Sequence, residues 1–393
     1  MYHVRKIYAL LAILSAISSL LLSSTSMMVQ IYLKDAQVVP IVISSSTSLI
    51  FLGLSLGSIF GGKSAQHFPI RRFLSLCYLL GVSSVGILAS LPGPIWTLIV
   101  VFFHAFFMSC LTPAIMSLVS VSSPIGTQRD KNLSFVSASR SLGWMLGRVL
   151  GGVLLAALTY RWSFLVLLLT FLWGIFCLFP LRGHMAIAES GQVTYVLRKS
   201  LKNLYIALIL RQMGIAGVLS LIFVYMSSFL RINPNIMGLL SALNHGSQVW
   251  SMLLFGRFAN VIGRRNVFLI GFGLSTFVPL IFLLFPNTYG MAVGFVVLGI
   301  SFGSLYVGSS TYVGTSSPSD KQVMLFGLLE SSRGLGGTIG PLLAGFAIPY
   351  LGFHGMFLLM ASLLGIGFSL VGSGTRHELL HRGEKSQRRV VSR

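Results

Sequence analysis

The chain has 393 residues, of which 54% are apolar and only 9% charged. A soluble protein carries about a quarter charged residues, so a water-soluble globular fold is excluded. The formal charge of +21 invites a nucleic-acid reading, which the placement of those charges argues against below.

A helix needs roughly 20 apolar residues to cross the hydrocarbon core, and twelve such stretches are predicted. The first, 7–32, follows a basic start (Arg5, Lys6) and runs on without a clear cleavage site, so it reads as a span and not as a leader. Spans 38–60, 73–91, 95–121, 133–158 and 162–181 follow on short loops, with the turn Leu91-Pro-Gly-Pro94 before the fourth. A polar, basic connection then occupies 182–203. Spans 204–230, 235–256, 266–285, 290–313, 323–349 and 354–373 complete the set. Turn sequences mark their loops: Arg231-Ile-Asn-Pro-Asn235, Phe285-Pro-Asn-Thr-Tyr-Gly290 and Ser316-Ser-Pro-Ser-Asp-Lys321. The expected organisation is an all-α polytopic membrane protein: a six-helix bundle over 1–181, a cytoplasmic linker over 182–203, a second bundle over 204–373 and a basic tail over 374–393.

With the N-terminus placed inside, the 28 lysines and arginines sort by side. Twenty-one fall on the inner side, three (Lys34, Arg161, Arg231) on the outer, and four (Arg140, Arg148, Arg211, Arg333) within spans. Such an imbalance is the positive-inside rule. The positive charge therefore encodes orientation, and nucleic acid is not expected as a partner. Both termini are expected in the cytoplasm of a cell that holds the protein in its cytoplasmic membrane.

Three echoes tie the two sets of six spans together. Gly62-Lys-Ser-Ala-Gln-His-Phe-Pro-Ile-Arg-Arg72 and Gly256-Arg-Phe-Ala-Asn-Val-Ile-Gly-Arg-Arg265 each follow the second span of a half, 194 residues apart. Ser-Ser-Pro recurs at Ser122 and Ser316, at the same offset. Ser139-Arg-Ser-Leu-Gly143 and Ser332-Arg-Gly-Leu-Gly336 open the fifth span of each half, 193 apart. Parallel repeats of this kind mark transporter folds.

On these residues the sequence resembles the major facilitator superfamily along essentially its whole length. That family's loop signature reads Gly-x-x-x-Asp-Arg/Lys-x-Gly-Arg-Arg/Lys. The second copy here supplies Gly256, Asn260, Gly263, Arg264 and Arg265; the first supplies Gly62, Gln66, Arg71 and Arg72. Gly337–Gly345 looks like the family's Gly-Pro element, and Gly147–Gly152 like its partner, with Arg148 where proline is common. The resemblance implies two pseudo-symmetric six-helix bundles and alternating access. It also implies a cytoplasmic gate at the two loops, with Arg140, Glu330 and Arg333 beside it. Amides stand at 66 and 260 where relatives have aspartate. A neutral acceptor bonds about half as strongly as an ionised one, so a weaker lock is expected. Small-residue stripes, Gly143, Gly147 and Gly151 in span five and Gly336, Gly340 and Pro341 in span eleven, permit close helix contact and are expected at the contact between bundles.

The side chains that could carry chemistry are few. Cys77, Cys110 and Cys177 fit neither a disulfide framework nor a zinc pattern, no metal or cofactor is expected, and no acid–base pair or nucleophile suggests an enzyme. Of seven acids, only Glu330 lies in a span. Arg148 lies well inside span five, where an arginine costs about 2.5–3.5 kcal/mol unless it faces protein or water. It is expected to meet Asn244, His245 and Gln248 of span eight and to bind an anionic group, or else to make a cross-bundle hydrogen bond. His104 reads as a packed hydrogen-bonder or a proton carrier. Arg211 reads as a cavity-mouth residue or a snorkelling one. The function expected is secondary transport, with export of a drug-like or metabolite solute ahead of uptake of an organic anion, and a sensor or scaffold as the reading from another class. A small-molecule substrate, possible coupling to a proton or ion, a lipid bilayer and a monomeric state complete the expectation.

Overall fold

The computed structural model describes residues 2–122, 127–178, 199–316 and 322–391. Among them every regular element is helical: α1 (Tyr2–Asp35), α2 (Pro40–His67), α3 (Ile70–Leu88), α4 (Pro94–Ser122), α5 (Thr127–Ala157), α6 (Tyr160–Phe176), α7 (Lys199–Val224), α8 (Pro234–Ile262), α9 (Arg264–Leu284), α10 (Thr288–Ser316) and α11 (Gln322–Val391). A π-helical turn, Tyr225–Phe229, extends α7. Gly352 breaks α11 with a positive φ of 62°, a conformation that suits a residue without Cβ. Two arms result, where two spans were expected. The predicted connection lies outside the described residues up to 198, and the expected tail continues as helix to Val391.

Eight stretches among the described residues are long and apolar enough to cross a bilayer, including Tyr8–Asp35, Lys202–Phe229 and the broken Leu329–Val371. α5 and α8 are not in that set. Their sequences explain why: α5 carries Arg140 and Arg148, and α8 carries Asn244, His245 and Gln248. Proline opens α2, α4 and α8, where its fixed φ suits the first turn and its missing N–H is no loss.

The packing repeats as the sequence does. In the first half α1 lies on α5, α2 and α3 on α4, and α3 on α6. In the second, α7 lies on α11, α8 and α9 on α10, and α9 on α11. Gln37 and Arg231, 194 residues apart, both adopt positive φ (55° and 53°) in the loops before α2 and α8. Non-glycine residues seldom do so, and finding two at the repeat interval marks a duplicated turn.

The halves meet through α5 against α8 and α2 against α11. These two contacts are also repeat mates. A Cβ on Gly152 would lie 2.6 Å from the Pro234 carbonyl oxygen, and one on Gly345 would lie 2.7 Å from the Ile41 Cα. Both crossings thus bring backbone onto backbone at the end where α2 and α8 begin. There a single apolar core runs through both halves, joining Met28 and Val29 to Phe223, Met237 and Phe282. At the end that carries the basic loops, Leu204, Leu208, Phe268, Phe272, Leu305 and Leu329 form a separate cluster within the second half. Among the described residues, the apolar core shared by both halves does not extend to this second cluster.

Candidate functional site

The stripe of Gly143, Gly147 and Gly151 does not face the other half. It lies against Ala16, Leu20 and Ser24 of α1, and Gly336 and Gly340 lie against Ile209 and Met213 of α7. Pro341 is buried on the same helix. The expectation of a contact between bundles is corrected to contacts within each. The reason is geometric: residues four apart share one helix face, and the next residue, Gly152, is turned about 100° away toward α8. On the α1 side, Ser23 and Ser24 donate to the carbonyls of Trp144 (2.8 Å) and Gly147 (2.7 Å). Those hydroxyls bind α1 to α5.

Arg148 stands on the face of α5 turned to the second half. Its guanidinium lies 5.8 Å from the ring centre of Trp144, one turn back on α5, and 5.1 Å from that of Phe223 on α7. Such cation–π contacts give roughly 0.5–2 kcal/mol each. The Trp144 ring in turn lies 5.6 Å from the His245 ring, tilted by 30°. His245 Nδ1 is 3.3 Å from Gln248 Oε1. Three helices drawn from both halves therefore converge on one arginine.

Its polar valences are not filled. Arg148 Nη1 is buried without a hydrogen-bond partner, and so, on α8, is Asn244 Oδ1. The acids whose side chains are described are engaged elsewhere. Asp35 pairs with Lys34 at 3.0 Å and accepts from Tyr160, and Glu330 pairs with Arg333 at 2.6 Å. Asp130 is 18 residues back along α5, about 27 Å at 1.5 Å per residue. Among the described residues, the centre holds a cation, aromatic faces and the Gln248 amide, with no countercharge.

The other expected residues are dispersed. His104 sits at the contact of α4 with α3, its Nδ1 2.9 Å from the Gly81 carbonyl and its Nε2 unpartnered. Arg211 is buried within the second half, with Nε 3.1 Å from Ser275 Oγ and Nη1 3.1 Å from Gln212 Oε1. Gly62, Arg71, Arg72, Gly256 and Gly263 lie at the ends of α2 and α8 and the starts of α3 and α9, with both arginines exposed. Gly263 has φ 89°, so the sharp reversal into α9 requires glycine there. At Gln66, Asn260, Arg264 and Arg265 only the backbone is described. Arg140 is half-buried on α5. Among the described residues no group of histidine, cysteine and carboxylate side chains is arranged to hold a metal.

Two partners of Arg148 escaped the sequence reading. Trp144 carried a signal, since residues four apart on a helix are neighbours. Phe223 carried none, because it arrives from another helix. Gln30 on α1 is a further case: its Nε2 donates to Thr47 Oγ1 at 2.9 Å, while its Oε1 and the Thr25 and Ser48 hydroxyls are buried and unpartnered.

The sequence profile of the Major Facilitator Superfamily matches residues 11–202 and 204–390, one match to each half. The chain belongs to the Major Facilitator Superfamily. The multidrug resistance protein MdtG of Dickeya zeae is 24% identical over 362 residues, covering 88% of this chain and 85% of its own. The proton-coupled antiporter flippase LtaA of Staphylococcus aureus is 21% identical over 294 residues, covering 72% and 73%. Among solved structures, a point mutant of the nucleoside transporter NupG superposes with a TM-score of 0.82 at 12% identity, over 94% of this chain and 99% of that one. A bacterial homologue of the human lysosomal transporter Spinster, inward-facing and unoccupied, gives 0.79 at 12% identity, over 95% and 97%. The family and the fold are those of membrane transporters, and the chain is a multi-pass membrane protein. On that shared frame, the feature that stands out in this chain is the arginine at the crossing of α5 with α8.

Proposed function

We propose that this protein is a secondary transporter that moves a small organic solute bearing an anionic group, held at Arg148, by alternating access. The observation that carries the reading is a guanidinium buried between the halves with an unbonded Nη1 and, among the described residues, no carboxylate beside it. An uncompensated charge in such a place is unfavourable, and an anionic ligand would remove that penalty. Trp144 and Phe223 would sandwich the group from both halves, while Asn244 and Gln248 orient its polar atoms.

In this reading all twelve helical arms span the bilayer, and the halves divide in the connection 182–203. The basic end faces the cytoplasm, attracted by anionic lipid. The continuous core then seals the outer end, and the other end opens inward. Export is supported as the direction by the relatives named for multidrug resistance. The molecule would act as a monomer in the cytoplasmic membrane, with Gln66 and Asn260 forming a gate lock weaker than an aspartate would. With Glu330 paired to Arg333 and His104 packed against the Gly81 carbonyl, His245, on the helix that crosses α5 at Arg148, is assigned any proton coupling.

The test is a thermal-stability screen of purified protein against organic anions, organic cations and neutral sugars, with Arg148→Gln in parallel. A ligand that binds only the folded state stabilises by about 2.7 kcal/mol at a hundredfold excess over Kd. Stabilisation by an anion that the variant loses supports the reading. Stabilisation by cations, retained in the variant, returns Arg148 to a structural role. No ligand response together with no change in gate accessibility would favour a scaffold.

A further inference from the structure

The second buried arginine, Arg211, does not belong to the Arg148 site. It lies on α7 twelve residues before Phe223, about 18 Å along the axis at 1.5 Å per residue, toward the end with the basic loops. Only 4% of its surface is exposed. Its three hydrogen-bond partners are all neutral: Ser275 Oγ of α9 at 3.1 Å, Gln212 Oε1 at 3.1 Å and Ser301 Oγ of α10 at 3.4 Å. A guanidinium has five N–H donors, so two remain after these bonds.

A second arginine stands close by. Arg333 of α11 has a side chain only 14% exposed. The two guanidinium groups lie over consecutive rings on one face of α10: Arg211 5.5 Å from the centre of Phe302, and Arg333 5.1 Å from that of Tyr306. The two rings stack on each other at 6.3 Å. Like charges so placed repel. Glu330 offsets one of them, binding Arg333 Nη1 at 2.6 Å, but that carboxylate is itself 65% exposed. The pair retains a net positive charge.

Between them is a space. It is lined by Leu208, Arg211, Gln212, Phe302, Leu305 and Arg333, and it has about 10 Å³ open to the centre of a water-sized body. That is close to the least that holds one water, and too little for an organic substrate. Its polar lining is donor-rich, and the rest is apolar. Guanidinium is a weakly hydrated cation, so the matching guest is a weakly hydrated monatomic anion.

We infer that the space between Arg211 and Arg333 is a halide site, holding one chloride-class anion that neutralises the arginine pair. Occupied, it joins α7 to α11 through a shared counter-ion, with α9 and α10 held by Ser275 and Ser301. Two of the residues that line it, Leu208 and Leu305, belong to the separate core at the end with the basic loops. Halide therefore stiffens the second half at the end that carries the basic loops.

The experiment measures the melting temperature of the full-length protein in detergent, with sodium chloride or bromide replacing sodium gluconate at constant ionic strength. Halide is expected to raise Tm saturably over gluconate. Arg211→Gln and Arg333→Gln should each abolish the rise, and the second, at a partly exposed position, guards against the first failing to fold. Arg148→Gln should keep it, which separates this site from the central one. Bromide-soaked crystals should show one anomalous peak between the two arginines. The inference is overturned if halide and gluconate give the same Tm. It is equally overturned if both arginine variants keep the response, or if Arg148→Gln alone loses it.

Discussion

Gly152 of α5 and Gly238 of α8 meet with no side chain between them. A Cβ on Gly238 would fall 2.5 Å from the Arg148 carbonyl oxygen and 3.0 Å from the Gly152 Cα. This joint fixes both the closeness of the halves at the end where α2 and α8 begin and the position of Arg148, whose own backbone forms one wall of it. Gly238→Val should therefore cost about 1–3 kcal/mol, as overpacking does, and should part the halves at that end. Met237, fully buried beside it, can report the change. In a background without native cysteines, Met237→Cys should react faster with a water-soluble maleimide once Gly238→Val is added. Equal rates would mean that the joint does not hold the end shut.

Arg148 is expected to be unfavourable for stability and needed for binding. Replacing a buried charge that lacks a partner with an apolar side chain is often neutral or stabilising. Arg148→Met should leave Tm unchanged or raise stability by about 1–3 kcal/mol, the penalty of an unsatisfied buried polar group, while removing stabilisation by organic anions. A large loss of Tm in the ligand-free variant would instead show that the arginine serves the fold.

Much of this architecture is written in the chain. Apolar length discloses the spans, because the bilayer imposes it on any sequence. The duplicated loops at Gly62 and Gly256 disclose the halves, since repeats keep their spacing. The Arg148 site was half legible. A lone arginine in a span is conspicuous, and Asn244, His245 and Gln248 share a face of α8. Phe223 was invisible because which helix arrives opposite Arg148 depends on tertiary packing. The glycine stripes show the limit most clearly. Their spacing states that something packs closely there, and for Gly143 and Gly147 it is α1, within the same half. Spacing alone does not name the neighbour.

The neutral amide at Asn260 is expected to leave the gate loosely held. An ionised acceptor bonds about twice as strongly as a neutral one, so Asn260→Asp should favour closure of the basic end. With a single cysteine at Ser64, labelling by a water-soluble thiol reagent should slow in the aspartate variant. Unchanged labelling would reduce the loop to a determinant of orientation.

Glu330 competes with any anion for Arg333. As a half-exposed i, i+3 pair it adds about 0–1 kcal/mol to the fold, so Glu330→Gln should barely move Tm in gluconate. Chloride titration should then reach its half-maximal effect at a lower concentration than in the parent protein. A higher midpoint would show that the carboxylate supports the anion rather than opposing it.

The continuous core at one end bears on leakage. A membrane protein with a charged, partly wet interior threatens the gradients across its bilayer whenever both ends loosen together. Here the end where α2 and α8 begin carries apolar side chains from both halves, and the buried polar groups there, Gln30, Thr47 and Ser48, belong to the first half alone. The apolar side chains that bridge the halves there stand between Arg148 and that end, so a leak past them would have to run along the first half's own hydroxyls.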